Sequence, residues 1–301
     1  MTEPRHHPFA QRISRRTFCR RSVAGLSLLA IGATGSLAES GTADTSQYGA
    51  VLVDLTRCIG CRACENACLV RQGYPGLPPA TFGYGPGDGK LTFKSRTFVD
   101  FRQVPTFEGA MRHVPVKRQC MHCLEPACVS VCPVAALEKT TRGSVVWRDD
   151  RCIGCRYCLL ACPFGVPKYE WDNALTPRVN KCDFCDDRTG AGLLPACVAA
   201  CPTGALKYGR HAEVLREARA RVAALPDRYV TLFGDRVVGG TSWLYLSDMP
   251  VEQLGLPTNL PTSPMPTLTW NWLSKVPYIV IGLGLVLSGV SRLRSRKERE
   301  G

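Results

Sequence analysis

Histidine is scarce in this chain, with five in 301 residues, and none completes a set of closely spaced cysteines. Zinc ribbons use two Cys-x2-Cys pairs set apart by a spacer, or mixed Cys and His ligands. Here four cysteines twice fall within eleven residues instead, so a zinc site is disfavoured. The spacing Cys-x3-Cys-x2-Cys is also missing: Arg71, Ala135, Gly165 and Gly204 stand where it would need cysteine, which excludes the radical-forming enzymes built on it. No nucleophile or acid/base constellation lies outside the cysteines, so the chain is not expected to be an enzyme by itself. No basic stripe interleaved with aromatics reads as a nucleic-acid surface. The apolar stretches 23–37 and 276–290 have fifteen residues each, short of the roughly twenty that cross a bilayer unaided.

Cysteine, by contrast, is abundant. Of seventeen, sixteen form four quartets. The first is Cys58, Cys61, Cys64 and Cys68, and the third is Cys152, Cys155, Cys158 and Cys162 followed by Pro163. Both follow the bacterial ferredoxin run Cys-x2-Cys-x2-Cys-x3-Cys, whose fourth thiolate serves the other cluster of a pair. The second, Cys120, Cys123, Cys128 and Cys132 with Pro133, and the fourth, Cys182, Cys185, Cys197 and Cys201 with Pro202, keep the closing Cys-x3-Cys-Pro but stretch the middle gap. Three thiolates on one tight turn can face three irons of a cube while a fourth closes it, and iron keeps the thiols deprotonated. A disulfide framework belongs to short chains with dispersed cysteines and fits poorly. Sixteen cysteines in four quartets are expected to hold four 4Fe-4S centres.

The quartets repeat. RCIGCRACENAC at 57–68 and RCIGCRYCLLAC at 151–162 agree at nine of twelve positions, and CVSVCPVAAL at 128–137 recurs as CVAACPTGAL at 197–206. The order A, B, A′, B′ indicates a duplicated unit. The fold class expected is α+β, with two ferredoxin-like lobes of two clusters each and one C-terminal transmembrane helix.

The formal charge of +13 sits largely at the ends. Residues 1–38 contribute +5 and residues 291–301 contribute +3, leaving +5 on the body. Four oxidised cubanes with their thiolates add roughly −8, so the loaded body is expected to be slightly acidic.

Both ends read as targeting segments. Arg15 and Arg16 lie in SRRTFCR, which resembles the twin-arginine export signal; the apolar stretch and Ser36-Leu37-Ala38 follow it, so 1–38 is expected to be a cleaved signal peptide. That route carries folded, loaded proteins, and Cys19 departs with the signal. At the other end, Trp270, Trp272 and Tyr278 suit an aromatic belt. A helix over 270–293 spans a core of ~30 Å if Lys275 snorkels. Arg292, Arg294, Arg296, Lys297 and Arg299 then keep the tail 294–301 cytoplasmic by the positive-inside rule. The body is thereby expected in the periplasm on a single-pass anchor in the inner membrane.

Between the ends, 39–249 is expected to form the four-cluster body, with an insertion at 73–116 and a proline-rich linker at 250–269. A surface loop is expected over 73–89, strands over 90–104, 229–233, 236–238 and 242–246, and an amphipathic helix over 212–225. Arg62, Arg156, Lys117 and Lys181 lie close enough to the quartets in sequence to contribute to tuning cluster potentials, although such residues are more often solvated charges, and His122 is read as no more than a neighbour of ligands.

Taken together, the four quartets, KRQCMHC at 117–123, CIGCRYCLLACPFGVPKY at 152–169, the export signal and the anchor resemble the membrane-anchored iron–sulfur subunits of periplasmic hydrogenase 2. The β subunits of formate dehydrogenase share the quartets and anchor. The resemblance covers residues 45–290 and implies an electron-transfer subunit, not itself catalytic. It would relay electrons between a periplasmic catalytic module, hydrogenase subunits foremost, and a quinone-binding membrane subunit. It also implies cross-pairing of the quartets: Cys58, Cys61, Cys64 with Cys201; Cys182, Cys185, Cys197 with Cys68; Cys120, Cys123, Cys128 with Cys162; and Cys152, Cys155, Cys158 with Cys132. A formate dehydrogenase β subunit, or a carrier without a fixed partner, are the alternative readings.

Overall fold

The structure is a computed structural model that describes residues 44–76, 90–105, 110–173 and 178–300. The expected signal peptide, with Arg15 and Arg16, and most of the expected 73–89 loop lie outside the described residues.

In chain order, the elements are β1 (Gly49–Asp54), α1 (Ala63–Arg71), β2 (Thr97–Pro105), β3 (Met111–Gln119), α2 (Ala127–Ser130), β4 (Leu137–Lys139) and β5 (Val145–Trp147). There follow α3 (Tyr157–Ala161), β6 (Lys168–Tyr169), β7 (Val179–Asn180), α4 (Asp186–Gly190), α5 (Ala196–Ala199), β8 (Leu206–Arg210) and α6 (His211–Ala224). The last are β9 (Thr231–Phe233), β10 (Trp243–Ser247), α7 (Met265–Leu273) and α8 (Val276–Glu300). The chain is thus mixed α and β, with its helices short around the cysteines and long only in α6 and the C-terminal pair.

One four-stranded sheet, in the order β8-β1-β10-β9, organises the body. β1 runs antiparallel to β8 and parallel to β10, pairing Val51 with Trp243 and Asp54 with Leu246. Because side chains alternate along a strand, the two faces bury different sets. Ala50, Leu52, Leu244 and Leu246 pack under α6 with Val214, Ala218 and Tyr229. Val51, Val53, Trp243 and Tyr245 face the other way, onto Phe184, Cys197 and Met121. The sheet therefore has a helix behind it and cysteines in front.

The remaining strands form ribbons. β2 and β3 make a nine-pair antiparallel hairpin, longer than the single stretch of strands expected over 90–104. β4–β5 and β6–β7 are short antiparallel pairs, and Leu137, Val145 and Val179 form a small core with Cys128 and Cys158.

One expected strand does not form. Residues 237–239 make a 3-10 turn in which Val238 takes φ 50°, followed by Gly239 at 83° and Gly240 at 99°. Three successive left-handed residues cannot continue a strand. The turn instead clasps the proline-rich stretch: Val238 N–H donates to Pro261 O (2.8 Å) and Gly239 N–H to Thr262 O (2.9 Å). Leu254 is fully buried nearby, and Arg118 donates to Leu254 O (2.9 Å). Residues 250–264 are thus held on the body rather than acting as a solvated spacer.

The C-terminal helices are almost continuous. Ser274 N–H donates to Trp270 O (2.9 Å) and Ile279 N–H to Lys275 O (3.1 Å). Together, Met265–Ser295 is 31 residues long and apolar enough to cross a membrane, with none of it buried. At 1.5 Å per residue this reaches about 46 Å, beyond the ~30 Å needed, because the helix begins five residues before Trp270.

Candidate metal centres

The cysteine turns depend on left-handed residues. In the first quartet Gly60 (φ 69°) and Arg62 (59°) alternate with Cys61, and in the third Gly154 (71°) and Arg156 (63°) do so around Cys155. Such alternation curls a chain tightly enough for three side chains to converge on one body. A Cβ on Gly60 would lie 2.7 Å from the Phe101 ring, so this position has neither conformational nor spatial room for another residue. Arg62 is secured there by Glu65, to which it donates from Nε (3.0 Å) and Nη2 (2.9 Å). Glu65 also accepts from Val99 N–H (3.3 Å).

After the closing cysteine the quartets diverge. Where proline follows, Ala135, Gly165 and Gly204 take φ of 50°, 61° and 61°, and each N–H returns to the carbonyl of its cysteine. Where Leu69 follows Cys68, α1 runs on to Arg71. Arg71 then pairs with Asp183 (3.1 Å) and with Asp187, tying the first quartet to the fourth. Asp183 is also held by Arg96 (2.6 Å). This network was not legible in the sequence, since Arg71 and Asp183 lie 112 positions apart.

The sixteen described cysteines are all free of disulfides, and they assemble in interleaved sets. Cys58, Cys61, Cys64 and Cys201 line one cavity with Lys117 and Pro202. Cys68, the closing residue of the first quartet, lies within electrostatic reach of Cys197 and Cys185 and acts on Cys182. Cys123 and Cys128 have Cys120 and Cys162 as neighbours, and Cys158 has Cys152, Cys155 and Cys132. Each closing cysteine therefore lies near cysteines of another quartet. The sets also adjoin in series, through Cys64 and Cys197, Cys182 and Cys120, and Cys128 and Cys158.

These sets suit cubanes. Among the described residues, no three His, Cys, Asp or Glu side chains come close enough to hold a single ion. A lone zinc with 2.3 Å bonds would draw its four sulfurs to about 3.8 Å of one another, whereas a four-iron cube keeps its thiolates further apart. Burial pushes the Cys64 and Cys128 thiols up to about 12 and those of Cys68 and Cys158 up to about 11. Without metal they are protonated at neutral pH, and loading the site must release those protons. N–H donors are already in place: Ala136 N–H lies 3.2 Å from Cys132 Sγ, Phe184 N–H 3.4 Å from Cys182 Sγ, and Ala196 N–H 3.4 Å from Cys185 Sγ. Gln72 Nε2 reaches Cys68 Sγ at 3.4 Å.

Of the cations near the quartets, Lys117 and Lys181 are buried rather than solvated. Lys117 Nζ donates to Thr97 Oγ1 (2.6 Å) and Gln119 Oε1 (3.0 Å), and Lys181 Nζ donates to Val145 O and to Cys182 O (3.0 Å). A third lysine went unnoticed: Lys139 donates to Cys123 O (2.6 Å) and His122 O (3.2 Å). Burial lowers its pKa to about 8. Its neighbours in sequence contain no signal for this, since it lies on β4, seven residues beyond Cys132. His122 is fully buried at φ 47°, its Nδ1 accepting from Val145 N–H (2.9 Å). It stands beside the cysteines, as expected, and burial holds its pKa well below the ordinary value. Arg156 remains at the surface, stacked 5.1 Å from the Trp171 ring centroid.

Free thiols gathered in interleaved fours, with amide donors aimed at their sulfurs, define an iron–sulfur electron-transfer protein. Residues 111–211 match the 4Fe-4S dicluster domain family. The chain is 34% identical over 238 residues to the hydrogenase-2 operon protein HybA of Escherichia coli O157:H7, covering 69% of this chain and 72% of that protein. It is 36% identical over 215 residues to the iron–sulfur subunit of nitrate-inducible formate dehydrogenase of Escherichia coli K12, covering 69% and 72%. It is also 34% identical over 276 residues to the formate dehydrogenase iron–sulfur subunit of Haemophilus influenzae, covering 88% and 86%. The chain belongs to this family of iron–sulfur subunits, and its cofactors are 4Fe-4S clusters.

Proposed function

We propose that this chain relays single electrons through four 4Fe-4S clusters between a periplasmic catalytic module, foremost a nickel–iron hydrogenase, and a quinone-reactive membrane subunit. The observation that carries the reading is the interleaving of the sixteen cysteines. Cys58, Cys61, Cys64 and Cys201 would hold the first cluster, and Cys182, Cys185, Cys197 and Cys68 the second. Cys120, Cys123, Cys128 and Cys162 would hold the third, and Cys152, Cys155, Cys158 and Cys132 the fourth. Each cubane, when bound, supplies a one-electron couple. The residues do the rest: they set the four sites in a row, exclude water from the inner ones and offer N–H groups to sulfur, which tunes potential. Because tunnelling falls off exponentially with distance, adjoining sites favour short hops in series. The first two sites would form one ferredoxin-like lobe and the last two the other, as the sequence repeat suggests.

The fourth site is the candidate port. Cys155 is exposed, and Ile153, Tyr157, Leu160 and Trp171 stand out around it. Exposed apolar patches of this kind mark contact surfaces. The anchor supports a membrane location: α7 and α8 are long enough to span, α7 packs on α2 beside Cys128, and the basic residues after 291 favour a cytoplasmic tail. The export signal favours a periplasmic body.

Metal analysis of the complex purified in mild detergent tests this reading. Iron beyond that held by the partner subunits should come to about sixteen per chain, at four per cubane, with nickel and no molybdenum in the complex; a value near eight sinks the four-cluster assignment. Molybdenum without nickel would instead favour a formate dehydrogenase partner, a second reading favoured by the 86% coverage of the Haemophilus influenzae subunit. Recovery of the chain alone would point to an independent carrier.

A further inference from the structure

Lys117 is only 2% exposed, yet among the described residues no carboxylate pairs with it. Its ammonium has two neutral acceptors, Thr97 Oγ1 and Gln119 Oε1, and lies 4.7 Å from the Trp243 ring centroid. A fully buried ammonium without a counter-charge costs several kcal/mol, more than two hydrogen bonds and one aromatic face return. The missing negative charge must come from something else at the site. Lys117 lines the same cavity as Cys58, Cys61, Cys64 and Cys201, and its charge also acts on Cys197, Cys182 and Cys68. It is therefore within reach of two different sets of thiols. At Cys158 of the fourth set, burial first and then the neighbouring thiols of Cys152, Cys155 and Cys132 raise the thiol.

We infer that Lys117 is the shared counter-charge of the first and second clusters, raising both potentials together and leaving the fourth untouched. This rests on the ligand sets of the proposed function. Each thiolate-bound cubane is an anion that gains a further negative charge when reduced, so a fixed cation within reach of two of them favours the reduced state of each. The position is built for it. β3 carries Lys117 and Gln119 toward the same interior, Thr97 faces them across the hairpin, and Tyr245 Oη donates to the Lys117 carbonyl (2.8 Å), which fixes the strand. Lys117 is a positioning and tuning residue and touches no substrate.

The test is an EPR-monitored redox titration of the intact, detergent-solubilised complex carrying Lys117→Met, Lys117→Arg or no change. Beyond the iron and the midpoints of the partner subunits, the wild type must first give about sixteen irons and four midpoints; failure there sinks the ligand assignment and not the role of the lysine. With Met, which keeps the volume and removes the charge, two of the four midpoints should fall. Their reduced-to-oxidised ratio at fixed poise should drop about tenfold, or about 59 mV for a one-electron couple. Arg should leave all four close to wild type. Should the Met variant fail to load iron, full loading of the Arg variant supports the inference, and equal failure of both overturns it. No shift, a shift in one centre only, or an equal shift in all four also overturns it.

Discussion

The sequence RCIGCR occurs twice, at 57–62 and 151–156, and the two copies have opposite surroundings. In the first, hairpin β2–β3 lies over the turn: Phe101 and Pro115 press on Gly60, and Val99 is bonded to Glu65. In the third quartet the same turn is open, with Cys155 exposed and Leu160 85% exposed. The copies differ at three positions, where Ala63, Glu65 and Asn66 are replaced by Tyr157, Leu159 and Leu160. The shared positions bend the chain and supply thiols. The three that differ decide whether the turn is closed by its own chain, through a buried carboxylate, or left with an apolar face.

The largest expected contrast is between ligands on the two sides. Cys197→Ser strikes a buried thiol within the sheet's main core, and the loss of a metal whose binding is coupled to folding should leave little soluble, loaded protein. Cys155→Ser strikes the open edge and should leave three clusters, about twelve irons per chain at four per cubane, with Tm within about 5 °C of wild type. Iron analysis and thermal melts decide this; equal damage from the two would erase the distinction.

Next in size is Leu69→Pro, which makes the first quartet match the others in sequence. Leu69 is inside α1, so proline removes a helix bond and clashes with the carbonyl four residues back, costing about 3 kcal/mol. It also displaces Arg71 from Asp183. The reverse change, Pro163→Leu, should cost less than about 1 kcal/mol, because the chain has already left its helix there. Denaturant titration of the loaded protein separates the two.

Replacing the open face by its covered counterpart, Tyr157→Ala with Leu160→Asn, should leave iron content and melting unchanged while slowing electron transfer across the fourth site about tenfold, equivalent to ~1.4 kcal/mol of lost contact. Stopped-flow reduction of the intact complex reads this. An unchanged rate would mean that the apolar face serves no partner.

Acid probes the tie between the first and fourth quartets. Burial works against the charge on Asp183, but Arg96 and Arg71 outweigh it and hold the carboxyl below its ordinary range. A depressed carboxyl stabilises the fold above the unfolded value near pH 4 and ceases to as pH falls through its own lower value. Stability should therefore drop on that acid side, and Arg71→Ala should remove about 1 kcal/mol at neutral pH while flattening the drop.

What the sequence disclosed and what it hid follow from the range of the interactions. Quartets, turns and the repeat are local, and 212–225 has the periodicity of a helix, within one residue of α6 at each end. The pairing of β1 with β10 joins residues 192 positions apart, and no short-range pattern signals it. Lys117 and Lys181 look like ordinary basic residues because burial belongs to the fold, not to their neighbours in sequence. The 236–238 stretch reads as a strand by composition, and only the clasp on 261–262 explains why Val238 accepts a left-handed backbone.

The smallest test concerns the turn after the cysteine. Gly165 and Gly204 take φ of 61°, yet Ala135 holds φ 50° at the equivalent place, so a side chain is tolerated in that conformation when space allows. A Cβ on Gly165 meets nothing within 4 Å, and on Gly204 it meets only Arg57 Nη2 at 3.6 Å. Gly165→Ala should therefore cost only the left-handed penalty, about 1 kcal/mol, with all clusters retained, and Ala135→Gly should recover a similar amount less its added chain entropy. If Gly165→Ala instead lost iron, the turn after Cys162 would not have the room for a side chain that Ala135 has after Cys132, and the two turns would not be equivalent.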